Sequence, residues 1–203
     1  TEACEMLEPD FLLNTVFTPD GAVSEIVAGH WYEAWEKGCQ DLLKMAGVKI
    51  KALADVVIAS AGGYPKDLNL YQSIKCHMNA AFAVEKGGIM IFTLDCEDIK
   101  EPAIFTDCFS RSNLEQFEKD IREAFTVPAF VAFKGRNILS DVTAYLVTRP
   151  ENFDFVKRTG HIPCATLEEA WSLAQAKLVE QGKHDYTITI MGHGSATLPI
   201  LEQ

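Results

Sequence analysis

The chain has 203 residues, of which 48% are hydrophobic, and a formal net charge of −11. This length and apolar content predict one large or two small folded domains and argue against intrinsic disorder. No basic stripe offsets the negative charge, which disfavours nucleic acid and anionic membrane surfaces as partners. No apolar run approaches the ~20 residues that a membrane-spanning helix needs. Any site for a small anion must therefore be built locally.

The N-terminus and the cysteines indicate the compartment. The first ten residues, TEACEMLEPD, are acidic and carry neither the basic nor the apolar region of a signal peptide. The six cysteines are scattered and include no CxxC pair, so a zinc site is not expected. We interpret them as reduced thiols of a cytoplasmic protein. The cysteines are Cys4, Cys39, Cys76, Cys96, Cys108 and Cys164.

The first 50 residues predict a β-hairpin followed by a helix. Two apolar segments flank a tight turn at Pro19-Asp20-Gly21, and a helical pattern then runs to a glycine stop at Gly47. A two-stranded hairpin is marginally stable in water unless it joins a larger sheet. We therefore expect residues 1–50 to be the tail end of a missing N-terminal domain. The predicted strands are 11–18 and 22–28, the helix is 31–46, and a connector follows at 48–52.

From residue 55 onward, short apolar segments alternate with helical patterns. Such alternation is typical of an α/β protein with a mainly parallel sheet. We predict that residues 51–203 form a C-terminal α/β domain, a three-layer Rossmann-like domain preceded by the hairpin and its helix. The predicted strands are 55–60, 88–95, 128–133, 143–148 and 186–191, and the predicted helices are 70–87, 113–125, 151–158 and 166–182.

The segment 61–75, AGGYPKDLNLYQSIK, carries the strongest chemical signal. It follows a short apolar strand and opens a helix. Gly62 and Gly63 allow a sharp turn and a close approach of a ligand to the backbone, and Pro65 stiffens the exit from this turn. Free N–H groups and the macrodipole at a helix start favour negative charge. In an open α/β sheet, ligands bind at the carboxyl ends of strands, where this turn is expected.

Two polar side chains follow in the first turns of this helix. Asp67 or Asn69 can cap it, and Asn69 with Gln72 loosely fits a capping box. Gln72 and Lys75 are three residues apart and share a face, so a lysine charge and an amide are available to one ligand. The alternative is that Gln72 only caps the helix and Lys75 is a solvated surface residue. The opposite, buried face is predicted to carry Leu70, Tyr71, Ile74, Met78, Ala81 and Phe82.

Other candidate groups fit structural roles better. The five histidines show no metal-ligand spacing, and the Gly192-His193-Gly194-Ser195 segment is not a GxSxG motif, so we interpret it as a terminal loop. Cys76 and His77 are adjacent on a helix and cannot face each other as a nucleophile pair. The acidic cluster of Asp95, Glu97 and Asp98 fits either a Mg²⁺ site or a solvated turn, and we favour the turn. The histidines are His30, His77, His161, His184 and His193.

The stretch ADVVIASAGGYPKDLNLYQSIK, residues 54–75, resembles the signature of the nickel-dependent lactate racemase family. Its specific part is LYQxxK after a glycine turn. The resemblance extends to FLLNTVFTPDGAVSEIVAGH upstream, and to EKGGIMIFTLDCED, TLEEAW and GHGSATLP downstream. It therefore covers most of the chain.

This resemblance implies an isomerase that inverts the hydroxyl-bearing carbon of a 2-hydroxy acid such as lactate. In such proteins a hydride moves to a nickel-pincer nucleotide and returns to the other face, while two histidines act as acid and base. The C-terminal domain contacts a small 2-hydroxy carboxylate. In this chain, the implied substrate contacts are Gln72 and Lys75, with Tyr71 as a neighbouring wall. The implied turn-shaping residues are Gly62, Gly63, Pro65 and Asp67.

The chain also departs from the family pattern. The tethering lysine, the nickel-binding histidine and the acid–base histidines belong to the family's N-terminal domain, and no segment here resembles those motifs. We therefore expect this fragment to bind no cofactor or metal, to hold no catalytic residue and to be inactive alone. A glycine-rich family segment reads CEDIKE at 96–101, which leaves the substrate open. The alternatives are a non-catalytic module that binds small anions or regulates, and a domain for packing or oligomerisation.

Overall fold

The computed structural model describes residues 1–18, 21–110 and 113–202 of the chain. The chain divides into two compact units, Thr1–Val48 and Lys49–Gln203. Within the described ranges, no helix is long and apolar enough to cross a bilayer. Pro19 and Asp20 of the predicted hairpin turn lie outside the described residues.

The first unit is a hairpin covered on one face by a helix. Its two strands pair antiparallel, with Val27 opposite Asn14. Val16, Val27 and Ala34 are buried where the helix packs on the strands. The strand residues Leu13 and Ile26 are 67% and 65% exposed, so apolar side chains remain open to solvent. The elements are α1 (Glu2–Leu7), β1 (Leu12–Phe17), β2 (Val23–Gly29) and α2 (Trp31–Ala46).

The second unit alternates strands and helices, as the sequence predicts. Two short 3-10 segments, Asp107–Ser110 and Pro150–Asn152, lie among them. β3 (Gly47–Ile50) begins with the last two residues of the first unit. The strands that follow are β4 (Ala54–Ser60), β5 (Val84–Thr93), β6 (Thr143–Val147), β7 (Ile162–Cys164), β8 (Ile188–Met191) and β9 (Leu198–Leu201). The helices are α3 (Leu70–Ala80), α4 (Ala103–Thr106), α5 (Leu114–Glu123), α6 (Val127–Ser140), α7 (Phe153–Thr159) and α8 (Leu167–Glu180).

Five of these strands form one parallel sheet. Their spatial order is β7-β6-β5-β4-β8. β4 therefore lies inside the sheet, between β5 and β8, and Val57 is paired with both Met90 and Thr189. The α/β fold class with a mainly parallel sheet is confirmed.

Alternate residues of the strands pack into two cores on opposite faces of the sheet. Val57, Met90 and Leu146 belong to the larger core, whose helical residues come from α3, α4, α5, α6 and α7. Val56 and Ile91 belong to a smaller core, covered by Ala170, Ala174 and Leu178 of α8. This alternation follows from the period of two along a strand and produces three layers.

The predicted strand at 128–133 is wrong, because these residues lie inside α6. The Thr126 Oγ1 accepts a hydrogen bond from the Ala129 backbone N–H at 3.3 Å and caps the helix. Pro128 lies in the first turn, where its missing N–H would have no intrahelical partner. A short apolar run does not distinguish a buried strand from a buried helix, and here the cap decides.

The predicted helix at 70–87 ends earlier, at Ala80. The backbone N–H of Ala54 donates to the Ala83 carbonyl at 2.8 Å, which joins the chain to the sheet before Gly87. β5 therefore begins at Val84. Phe82, predicted to be buried on the helix, follows its end and is 58% exposed.

The predicted connector at 48–52 contains part of a strand, β3, which pairs with β9 in a separate two-stranded sheet. The Ile50 carbonyl accepts a hydrogen bond from the Glu202 backbone N–H at 2.9 Å. β7 and β9 have three and four residues. Such short segments carry too little alternation to be predicted from the sequence.

A chain of buried polar groups links α3 to the segment before β7. The Nε2 atoms of His77 and His161 lie 2.9 Å apart, and His77 Nδ1 lies 3.1 Å from the Ser73 carbonyl oxygen. Thr159 Oγ1 lies 2.8 Å from His161 Nδ1 and 2.7 Å from the Val156 carbonyl oxygen. These four contacts require four protons, whereas two neutral imidazoles and one hydroxyl supply three.

Burial keeps both rings neutral. It lowers the pKa of His77 to about 4, although the hydrogen bond to the Ser73 carbonyl acts in the opposite direction. Burial, and then the neighbouring His77, lower the pKa of His161 well below its usual value. One of the four contacts therefore carries no proton near neutral pH.

We expect stability to fall when the pH drops below about 6.5, the ordinary histidine pKa. Because the folded-state pKa of His77 is depressed, protons bind the unfolded state more tightly, and stability is complete only above that pH. His77 alone predicts a loss of about 2 kcal/mol in the free energy of unfolding between pH 7 and pH 5. Urea unfolding at both pH values measures this loss.

Two substitutions test whether the pH dependence of stability comes from the buried histidines. His161→Gln removes one of the two groups with a depressed pKa and is expected to reduce the pH dependence to the part that His77 contributes, whatever its effect on stability at pH 7. His184→Gln is the matched control, since His184 is exposed, and it should keep the parent dependence. A parent protein with equal stability at pH 7 and pH 5 would contradict the prediction.

Candidate functional site

A double-glycine turn lies at the carboxyl end of β4, inside the sheet. Gly62 and Gly63 have φ values of +100° and +81°, which a residue with a Cβ rarely adopts. The Gly62 N–H donates to the Ser60 Oγ at 3.2 Å, and the Lys66 N–H donates to the Gly63 carbonyl at 2.9 Å. The turn thus directs the chain from the end of the strand to the start of α3.

The start of α3 presents the two predicted polar side chains to solvent. Asn69 Oδ1 accepts a hydrogen bond from the Gln72 backbone N–H at 2.9 Å, which confirms the predicted cap. Gln72 and Lys75 are exposed, whereas Leu70 and Ile74 on the opposite side are buried. The structure therefore places Gln72 and Lys75 on one open face, one helical turn apart.

The other predicted site residues support the turn or pack beside it. Tyr71 is half-buried, and its ring packs edge to face on Phe105, with centroids 5.4 Å apart. The Asp67 carbonyl accepts a hydrogen bond from the Cys96 N–H at 2.9 Å, which joins the turn to the segment after β5. Pro65 is exposed and its peptide bond to Tyr64 is cis.

The acidic segment after β5 forms an ion pair. Arg149 Nε and Nη2 donate to the two carboxylate oxygens of Asp95 at 2.7 and 2.6 Å. The hydrogen bond from Arg149 lowers the pKa of Asp95, and the same contact raises the pKa of Arg149. The Asp98 N–H donates to the Leu68 carbonyl at 2.9 Å, so this segment also supports the turn. Asp95 is thus held by an arginine.

The loop after β8, interpreted from sequence as a plain terminal loop, lies against this turn. A Cβ built on Gly62 would lie 2.9 Å from Nδ1 of His193. The Gly194 N–H donates to the Ser60 carbonyl at 2.7 Å, and Asn79 Nδ2 donates to the Gly194 carbonyl at 2.8 Å. The glycines of the GHGS segment were the available signal, because close backbone approach requires glycine.

Buried cysteines and histidines do not add a metal or nucleophile site. Within residues 1–18, 21–110 and 113–202, no group of three or more His, Cys, Asp or Glu is placed to hold a metal ion. Burial raises the pKa of the Cys76 thiol to about 12, and burial also raises that of Cys96 to about 12. Both thiols are therefore protonated and unreactive near neutral pH.

The fold and the turn together define a class: an α/β domain with a glycine turn and a capped helix start at a sheet's carboxyl edge. A solved structure, the lactate racemase apoprotein from Thermoanaerobacterium thermosaccharolyticum, matches with a TM-score of 0.83 at 26% identity, covering 98% of this chain and 48% of that chain. A crystal structure from Thermotoga maritima matches at 0.59 with 13% identity, covering 95% and 49%, and shares the fold alone.

Sequence comparisons identify the family. The lactate racemase C-terminal domain model matches residues 49–198. The lactate racemase of T. thermosaccharolyticum is 30% identical over 171 residues, covering 82% of this chain and 40% of that protein. The lactate racemase of Lactiplantibacillus plantarum is 34% identical over 89 residues, covering 43% and 20%. The chain belongs to the lactate racemase family, a family of isomerases, and spans 40% of the length of the first of these relatives.

The close packing of the loop after β8 generates a stability prediction. A Cβ on Gly194 would lie 2.5 Å from Cys76 Sγ and 3.0 Å from the Ser60 carbonyl oxygen. Gly194→Ala must therefore displace the loop from β4 or α3, at a cost of about 1–3 kcal/mol in the free energy of unfolding. Urea unfolding measures this cost.

Gly192→Ala is the matched control, two residues earlier in the same loop. A Cβ on Gly192 would meet no atom within 4 Å, so this variant should unfold like the parent protein. Equal stability of the two alanine variants would show that the loop does not pack closely at Gly194.

Proposed function

We propose that this chain supplies the substrate-contacting part of a racemase or epimerase that inverts the hydroxyl-bearing carbon of a 2-hydroxy acid such as lactate. The observation that carries the proposal is the exposed pair Gln72 and Lys75 at the start of α3, directly after the glycine turn. Lys75 forms no ion pair with any described residue, so its ammonium group is open to a carboxylate.

The two side chains match two groups of a 2-hydroxy acid. The Lys75 ammonium binds the carboxylate, and the Gln72 amide donates to or accepts from the hydroxyl. The Tyr71 ring forms a wall beside them, and Gly62, Gly63, Pro65 and Asp67 shape the turn. Both enantiomers carry the same carboxylate and hydroxyl. Contacts to these two groups therefore hold the substrate in place while the bond between its hydroxyl-bearing carbon and hydrogen is broken on one face and remade on the other.

We assign the chemical step to residues outside this chain. Family resemblance implies a nickel-pincer nucleotide and an acid–base histidine pair in an N-terminal domain. The described residues of this chain offer no group of three metal ligands, so they do not fit a nickel site. The chain's own contribution is binding and orientation, which place the reacting carbon.

We further propose that residues 1–50 complete the N-terminal domain and that residues 51–203 are the C-terminal domain. Leu13, Phe17 and Ile26 on the hairpin are more than half exposed in this chain. An exposed apolar sheet face indicates a missing packing partner. With only one half of the site, this chain is expected to bind substrate weakly and to have no racemase activity alone.

A nuclear magnetic resonance titration tests the substrate contacts. Addition of lactate to the ¹⁵N-labelled chain is expected to shift the amide signals of Gly62, Gly63, Gln72 and Lys75, with a dissociation constant on the order of millimolar. Lys75→Ala should weaken binding about tenfold, the effect of losing one charge-assisted hydrogen bond. Propionate, which lacks the hydroxyl, should bind more weakly than lactate.

Lys119→Ala is the matched control, because Lys119 is also an exposed helical lysine, on α5. It should bind lactate like the parent chain. Equal binding of lactate, propionate and inorganic phosphate would instead favour a general anion-binding module. No shift at this turn with a panel of 2-hydroxy acids would contradict the proposal.

The complete gene product, purified from its own host, tests the assignment of the chemistry. Its intact mass is expected to be about twice that of this chain, since the chain covers 48% of the lactate racemase structure that it matches. It is also expected to include the mass of a covalent cofactor adduct. Elemental analysis should find nickel. A product without nickel and without an adduct would contradict the proposed cofactor.

A further inference from the structure

The backbone of the loop after β8 is held at His193 by contacts with its neighbours. The His193 carbonyl accepts hydrogen bonds from the Ala196 N–H at 2.9 Å and the Thr197 Oγ1 at 3.0 Å. The next residue is fixed on both sides, by Ser60 and by Asn79. His193 is itself exposed. A surface histidine is therefore presented on a backbone that is fixed to the sheet and to α3.

The position of this loop places His193 beside the proposed site. Asn79, which donates to the Gly194 carbonyl, follows Gln72 by two helical turns and Lys75 by one, so all three lie on one side of α3. The loop therefore runs along the side of the helix that carries Gln72 and Lys75. On its other side, His193 Nδ1 would lie 2.9 Å from a Cβ on Gly62.

Polar side chains in the loop after β8 are available to a ligand. Among the described residues, neither ring nitrogen of His193 has a hydrogen-bond partner. In the same loop, Ser195 Oγ is buried and also has no partner in the described chain. A glycine at position 62 leaves the imidazole in direct contact with the turn, where any side chain would displace it.

We propose that His193 is a third substrate contact, whose imidazole N–H donates a hydrogen bond to the carboxylate held by Lys75. This inference rests on the proposed function and adds a residue from a different strand end to the same site. Lys75 supplies a flexible point charge, whereas the rigid imidazole on a fixed loop restricts the orientation of the carboxylate.

The test uses the ¹⁵N-labelled 203-residue chain and lactate as the probe. Long-range ¹H–¹⁵N spectra report the imidazole nitrogens of His193 directly, and we expect them to shift with the same dissociation constant as the Lys75 amide. His193→Phe should weaken lactate binding about fivefold to tenfold, the loss of one hydrogen bond to a charged group. His193→Gln, which keeps an N–H donor, should retain most of the affinity.

His184→Phe is the matched control, because His184 is also exposed, and it should bind lactate like the parent chain. The amide spectrum of each variant reports whether the fold is intact. Shifts at Gln72 and Lys75 with an unmoved His193 ring, and parent-like binding by His193→Phe, would overturn this inference alone. Loss of shifts at all three residues would contradict the proposed function as well.

Discussion

Helix α3 is held between two backbones that approach it where they carry no side chain. On one side, a Cβ on Gly135 of α6 would lie 2.4 Å from Ile74 Cδ1. On the other, a Cβ on Gly194 would lie 2.5 Å from Cys76 Sγ. Protein interiors are close-packed and do not deform continuously, so this double approach leaves α3 little freedom to shift or rotate. The direction of Gln72 and Lys75 depends on this constraint.

The same helix is also fixed by polar contacts at its buried side. Ser73 Oγ donates to the Asn69 carbonyl at 2.9 Å, and the Ser73 carbonyl in turn meets the ring of His77. His77 is in turn hydrogen-bonded to His161 on the segment before β7. Steric contacts thus set the distance of α3 from its neighbours, and the histidine pair sets its rotation. A binding residue on a rigid element holds its ligand more accurately than one on a mobile loop.

The sequence predicts those parts of the structure whose signal is local. The strand β4, the glycine turn, the Asn69 cap and the face shared by Gln72 and Lys75 occupy one continuous segment, and the periodicity and cap chemistry of that segment are sufficient. Helix α6 was mistaken for a strand because six apolar residues fit either element, and the Thr126 cap before them was not recognised.

Contacts between distant segments could not be predicted from the same evidence. Asn79 and Gly194 are 115 positions apart, and His77 and His161 are 84 apart, so no spacing rule relates them. The parallel sheet creates the first of these contacts, because it brings the carboxyl ends of β4 and β8 to one edge. The segment that contains His193 was therefore interpreted as a terminal loop, and Gly194 was the local indication of its close packing.

The proposed carboxylate site lies in a chain of net charge −11, and the arrangement of charges near the turn supports the proposal. Asp95 follows β5 next to the segment that hydrogen-bonds the turn, and its charge is balanced by the bidentate contact with Arg149. Lys75 has no carboxylate partner among the described residues, so its ammonium group is open to a ligand. The helix start adds a further positive potential that decays within one turn. Because salt screens charges that lie more than about 8–10 Å away, the groups near the turn act on a ligand more strongly than the distant negative surface does.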